Sequence, residues 1–225
     1  MKYKISINQL VDFSKGTESK KKRIIRDQKS PDKFKISLYQ TPRASIKKCL
    51  SNNGDRTYII DGLERLKNRI PDPAKPRQLQ NKVSSIKAMK CFLNTEIPNI
   101  LKNHEINIIK KPKTKTIFIN GVEILVSPDV IFTMKYENKI YIGGIKIHLS
   151  KGNIFEPNES KFVAAIVQKY LESISDDYNA EVLQELCLSL DVFDQRIVSA
   201  PLQIDKYLDK IYFVCEEVKK FWNVA

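Results

Sequence analysis

Cationic side chains are the groups in this chain best equipped for chemistry, and two runs of them stand out. Lys20, Lys21, Lys22, Arg23 and Arg26 follow one another closely, as do Lys110, Lys111, Lys113 and Lys115. On a helix the first run places Lys22, Arg23 and Arg26 along one side while Ile24 and Ile25 seat the helix, which is how a surface that tracks a phosphate backbone is built. Lys146 and His148 stand two residues apart in a segment rich in β-branched residues and therefore share one face of the expected strand. His148 on that face reads as a surface or packed histidine in preference to a phosphate contact. Thiolate chemistry has no support: Cys49, Cys91, Cys187 and Cys215 are far apart and the only histidines are His104 and His148, whereas a tetrahedral zinc site needs clustered ligands. The thiols are expected to be buried or idle, in a reducing compartment.

The chain has 225 residues, 39 Lys plus Arg against 26 Asp plus Glu, and 42% hydrophobic residues. These figures exclude collagen, low-complexity disorder and a disulfide mini-protein, and they allow one good core or two small ones. The N-terminus, MKYKISINQLVDFSKG, lacks the apolar stretch of a signal peptide, and no apolar run approaches a bilayer span; a cytoplasmic protein without a membrane is expected. The charge is polarised. Residues 1–115 carry 28 basic and 10 acidic side chains, and residues 116–225 carry 11 and 16. The usual partner of such a basic half is a phosphate polyanion. Its aromatics (Tyr3, Phe13, Phe34, Tyr39, Tyr58, Phe92) are scattered and lack a stacking pair, so backbone and shape are the expected readout.

The elements that must position these groups follow from periodicity and punctuation. Helices are expected over Ile5–Phe13, Thr17–Lys29 (stopped by Ser30-Pro31), Pro42–Leu50 and Tyr58–Asn68. Pro71-Asp72-Pro73-Ala74-Lys75-Pro76 cannot continue a helix. It divides a basic helical region, 1–70, from a second domain, 78–225, across a linker at 71–77. After a helix over Gln78–Phe92 the period changes to that of strands: Ile106–Lys111, Thr116–Asn120, Val122–Phe132 and Lys139–Leu149, a meander with Asn120-Gly121 as a hairpin turn. Glu156-Pro157-Asn158-Glu159 opens a helix over Ser160–Ser173, and a strand over Leu186–Ser199 and a helix over Asp205–Trp222 complete the chain. The class is α+β. Asp191 and Asp194 read as strand-edge residues, Asp176-Asp177 as a loop or cap, and Trp222 as core or docking surface.

Helix, antiparallel strands, helix, strand, helix is the element order of the PD-(D/E)XK nuclease core. Ser127-Pro128-Asp129-Val130-Ile131-Phe132 resembles its "PD" strand, and Ile140-Tyr141-Ile142-Gly143-Gly144-Ile145-Lys146-Ile147-His148 resembles the strand that carries acid-x-Lys. Over about residues 78–222 the chain is similar to the phage-exonuclease and RecB branch. The resemblance gives Asp129 the position of a ligand to Mg²⁺ or Mn²⁺ and Lys146 that of the lysine beside the attacking water. The second acid position is Gly144. A hard cation beside phosphate wants several oxygen ligands, so this departure puts cleavage in doubt. Glu123, at the parity of Asp129, lies about 20 Å away in extended chain at roughly 3.3 Å per residue. Glu96, Glu105, Glu159 or a partner chain are the remaining candidates to supply a relocated acid. Gln168 and Tyr170 do not reproduce the Gln-x-x-x-Tyr spacing of the RecB branch.

Three functions follow as expectations. The first is a nucleic-acid-binding, catalytically degenerate nuclease-like subunit, favouring DNA over RNA and joined to a protein partner, in a bacterial DNA-processing or anti-phage assembly; that setting comes from the resemblance alone. The second is an active Mg²⁺- or Mn²⁺-dependent DNA nuclease with a relocated acid. The third is a scaffold whose basic half docks an acidic protein.

Overall fold

The computed structural model describes residues 2–30 and 38–224; Pro31, expected to stop the second helix, and Phe34 lie outside the described residues. The chain is α+β, with two sheets. Strand β1 (Tyr3–Ser6) leads directly into helix α1 (Ile7–Ser14), followed by α2 (Glu18–Lys29), α3 (Gln40–Leu50), α4 (Thr57–Asn68), α5 (Pro76–Leu93) and the short α6 (Asn99–Asn103). Then come β2 (Ile106–Ile108), β3 (Thr116–Ile119), β4 (Val122–Leu125), β5 (Val130–Tyr136) and β6 (Lys139–His148). Helix α7 (Pro157–Glu172), strands β7 (Glu181–Asp191) and β8 (Arg196–Ser199), and helix α8 (Ile204–Val224) finish the chain.

The expected meander is divided between the sheets. β3 and β4 form a hairpin whose turn, Asn120-Gly121, has φ of 49° and 75°, the left-handed pair that a two-residue turn between twisted strands requires. They join β1 in a small sheet of order β1-β4-β3. β5 and β6 pair antiparallel through a second positive-φ turn, Glu137-Asn138, in a five-stranded sheet of order β2-β5-β6-β7-β8. β6 and β7 run parallel, so the chain must cross over between them, and α7 is that crossover. Its start is well specified: Glu156 and Glu159 form a reciprocal capping box around Pro157 in the first turn, which satisfies amides the helix leaves unpaired.

One apolar cluster covers each face of the large sheet. On one face Ile46, Leu50, Ile59, Leu63, Met89 and Phe92 of α3–α5 pack on Phe132, Ile145, Ile147 and Leu188. On the other, α7 lies over Ile131, Ile142 and Cys187 and is backed by the small sheet, α1, α2 and α8. The N-terminal 70 residues therefore contribute to both clusters: Ile5, Leu10, Phe13 and Ile25 to one, Ile46 and Ile59 to the other. The prolines at 71–76 join elements that share a core, although no helix crosses them.

Three local expectations are corrected. Ile5 and Ser6 are strand, not helix, because β1 pairs in parallel with β4 (Tyr3 opposite Val122, Ser6 opposite Leu125). The expected strand over 186–199 is a hairpin, turned at residues 192–195, where Gln195 has φ 58°. Asp191 is no edge residue: it is fully buried, and its carboxylate caps that turn and the loop before α7 by accepting from the amides of Phe155 (2.8 Å), Phe193 (3.0 Å) and Asp194 (3.1 Å).

Candidate nucleic-acid interface

Asp129 enters β5 from a tightly held loop. The amides of Val126 and Ser127 both donate to the Lys115 carbonyl, each at 3.0 Å. Ser127 has φ 38°, a conformation that costs a residue with a Cβ on the order of 1 kcal/mol. Lys146 fastens this loop: its Nζ donates to the carbonyls of Val126 (2.8 Å) and Ser127 (2.9 Å). Burial of the ammonium brings its pKa down to about 8, opposed by the Asp129 charge and reinforced by Arg43 and Lys47.

The Asp129 amide donates to the Ile145 carbonyl at 2.8 Å, which sets the register of β5 on β6. Its Oδ2 accepts from the Ile147 amide at 2.8 Å, and its Oδ1 accepts from Arg43 Nη1 at 2.5 Å. The Asp129 side chain is 8% exposed and that of Arg43 37%, so the carboxylate lies beneath a guanidinium that still reaches solvent. Arg43 comes from the first turn of α3, and Lys47 follows one turn later on the same side.

Two concavities meet at this pair. Beside Asp129 a groove of about 300 Å³ is bordered by Lys47, Lys110, Lys115, Ser127 and Pro128. Beside Arg43 a cleft of about 680 Å³ opens between α1, α2 and the loop at 149–153, with Lys20, Arg23, His148 and Asn153 in its wall. His148 is itself packed: it is 5% exposed, stacks on Phe155 at 3.6 Å between ring centroids, and places Nε2 2.6 Å from the Asn153 carbonyl. Burial lowers its pKa.

The site does not fit a divalent cation. One Asp129 oxygen is held by a guanidinium and the other by a backbone amide, and Gly144 offers no ligand. A Cβ at Gly144 would lie 3.4 Å from Leu171 Cδ1 and 3.5 Å from the Val130 carbonyl oxygen, pointing into the packing under α7. Glu123 is engaged by Lys2 (2.9 Å) and Lys4 (3.4 Å). Glu159 is engaged by Lys15 (2.7 Å) and by the capping box. Glu96 and Glu105 are exposed and line neither concavity. Among the described residues no group of three His, Cys, Asp or Glu could hold a metal ion.

The basic runs are distributed among several tasks. Lys20 and Arg23 face the larger cleft, with Lys20 4.0 Å from Asp12. Lys21 is drawn onto α8, 2.9 Å from Glu217 and over the rings of Phe13 and Phe221. Lys22 pairs with Glu18 one turn earlier at 2.6 Å. Arg26 is exposed on the same helix. Lys110 and Lys115 border the groove, Lys111 is exposed, and Lys113 pairs with Asp177. Sequence reasoning missed Arg43 and Lys47. Their i, i+4 spacing on an expected helix was visible, but nothing local ties Arg43 to a carboxylate 86 positions away.

The four cysteines are free, and burial pushes the thiols of Cys49 and Cys215 up to about 11 and about 12, which removes their nucleophilic form near neutrality. Among the described residues no helix is long and apolar enough to cross a membrane. Compared with models of known protein families and with curated protein sequences, the chain matches none.

Proposed function

We propose that this chain binds nucleic acid, DNA in preference to RNA, through the groove and ridge built by Arg43, Lys47, Lys110 and Lys115, and does not cleave it. The observation that carries this reading is the Arg43–Asp129 pair: the carboxylate that resembles a nuclease metal ligand is neutralised by an arginine whose outer edge faces solvent between two concavities. An arginine fixed from behind by a carboxylate presents its remaining N–H groups in a fork suited to a phosphate. The PD-(D/E)XK resemblance supports the same surface. Asp129 stands immediately before β5 and Lys146 on its antiparallel neighbour β6, and α7 leads from β6 to a parallel strand, the order that family uses. The bacterial DNA-processing or anti-phage setting, and a protein partner within it, are part of this proposal and rest on that resemblance.

The test is the salt dependence of duplex binding in EDTA. With four phosphate contacts and about 0.9 counterions released per contact, affinity falls roughly 100-fold between 50 and 200 mM salt. Lys47→Ala and Lys110→Ala each reduce the slope by about one. Binding that is flat with salt, or no binding at 50 mM, overturns the proposal.

A further inference from the structure

We infer that the cleft on the α1–α2 side of Arg43 receives one nucleotide turned out of the strand that the neighbouring groove holds; this rests on the nucleic-acid reading above. At about 680 Å³ the cleft has the size of a small-ligand site. Its wall combines two kinds of group. Lys20, Arg23 and Arg43 are cations able to hold phosphate. Asn8, Gln9, Asp12 and Asn153 carry the donors and acceptors that read a base edge.

The acidic share of the wall is Asp12 and Asp27, both engaged by other groups, and it does not argue against a nucleotide. Asp12 accepts from Asn153 Nδ2, accepts from Gln9 Nε2 at 3.4 Å, and lies 4.0 Å from Lys20, so its charge is shared among donors; a carboxylate is also an acceptor for a base amino group. Among the described lining residues the one aromatic ring is the His148 imidazole, which is already stacked on Phe155, so a base there is held chiefly by its edge.

The source of the nucleotide follows from Arg43. It borders the cleft while its partner Asp129 borders the basic groove, so a strand crossing the pair passes the mouth of the cleft, and enzymes and binders that examine single bases extrude them in this way.

The experiment uses the full chain and DNA carrying a single 2-aminopurine, whose fluorescence rises when it leaves the stack. No Phe, Tyr or Trp ring stands among the described lining residues to quench it, so a severalfold rise is expected on binding. Gly152→Leu adds bulk at one residue of the cleft's wall, where a Cβ meets nothing within 4 Å and so causes no clash. Asn8→Ala removes an amide side chain of the wall without adding bulk. Both variants are expected to lose most of the rise while a gel shift in EDTA weakens by less than about fivefold.

No rise with an intact gel shift overturns the pocket and leaves the binding reading standing. A rise undiminished in Gly152→Leu also overturns it, because the base is then unstacked elsewhere. Absence of any gel shift removes both readings. Binding of dAMP alone that Gly152→Leu abolishes, without a rise from the strand, reassigns the cleft to a free nucleotide and overturns the inference as stated.

Discussion

Replacing Arg43 with Gln leaves the Asp129 carboxylate, 8% exposed, with one backbone amide and no ion-pair partner on α3. Breaking a fully buried pair costs about 3–5 kcal/mol, and exposed pairs contribute about 0–1 kcal/mol. Arg43 is 37% exposed, which lets water take over part of its role, and the coupling between the two side chains comes to about 2 kcal/mol. A double-mutant cycle with Asp129→Asn isolates that quantity from each side chain's other contacts. Urea denaturation reads it: at an m-value of about 2 kcal/mol/M, Arg43→Gln alone moves the midpoint down by about 1 M. The same substitution in the Asp129→Asn background moves it far less. A coupling below about 0.5 kcal/mol would show that the guanidinium does not neutralise Asp129, and Asp129 would then be free to serve as a metal ligand.

Adjacent glycines in β6 are expected to differ sharply. A Cβ at Gly144 makes ordinary contacts at 3.4–3.5 Å, so Gly144→Ala changes the thermal midpoint little, whereas a Cβ at Gly143 would stand 2.5 Å from Phe132 Cζ and 2.8 Å from Leu186 Cβ, and Gly143→Ala costs about 1–3 kcal/mol by overpacking. Equal effects would contradict the packing described for the two faces. Lys146, brought down to about 8 in the folded chain against 10.5 as its ordinary value, binds its proton more tightly when unfolded. The unfolded state therefore carries more protons between these values, and stability relative to Lys146→Met rises by roughly 3 kcal/mol from pH 8 to pH 10.5; a difference that stays constant across that range refutes burial of the ammonium.

Much of the fold was legible because it is written locally. Thr17 accepts from the Lys20 amide at the start of α2, Asn120-Gly121 turns a hairpin, and Glu156-Pro157 with Glu159 opens α7; each signal lies within a few residues of the element it sets. What the sequence hid depends on partners far along the chain. Ile5 and Ser6 fit a helix until β4, more than 100 residues later, offers an edge to pair with. Asp191 looks like a strand-edge aspartate until the fold brings the Phe155 amide to it. The candidate site divides in the same way. Asp129 and Lys146 could be named from their own strands, but Lys146 is turned toward the loop carbonyls and Asp129 toward Arg43, and both orientations follow from packing α3 and the 126–128 loop against the sheet. The basic half was visible as charge, and its division into ion-paired residues such as Lys21 and groove residues such as Lys47 was not.

The decisive measurement is a cleavage assay on linear duplex DNA with protein in excess and Mn²⁺ present, run beside a binding titration of the same DNA in EDTA. Salt-sensitive binding with the DNA left intact over the full incubation is the expected result. Mn²⁺-dependent cleavage that disappears in a folded Asp129→Ala variant would contradict it, because Asp129 would then be holding the metal that Arg43 is argued to replace.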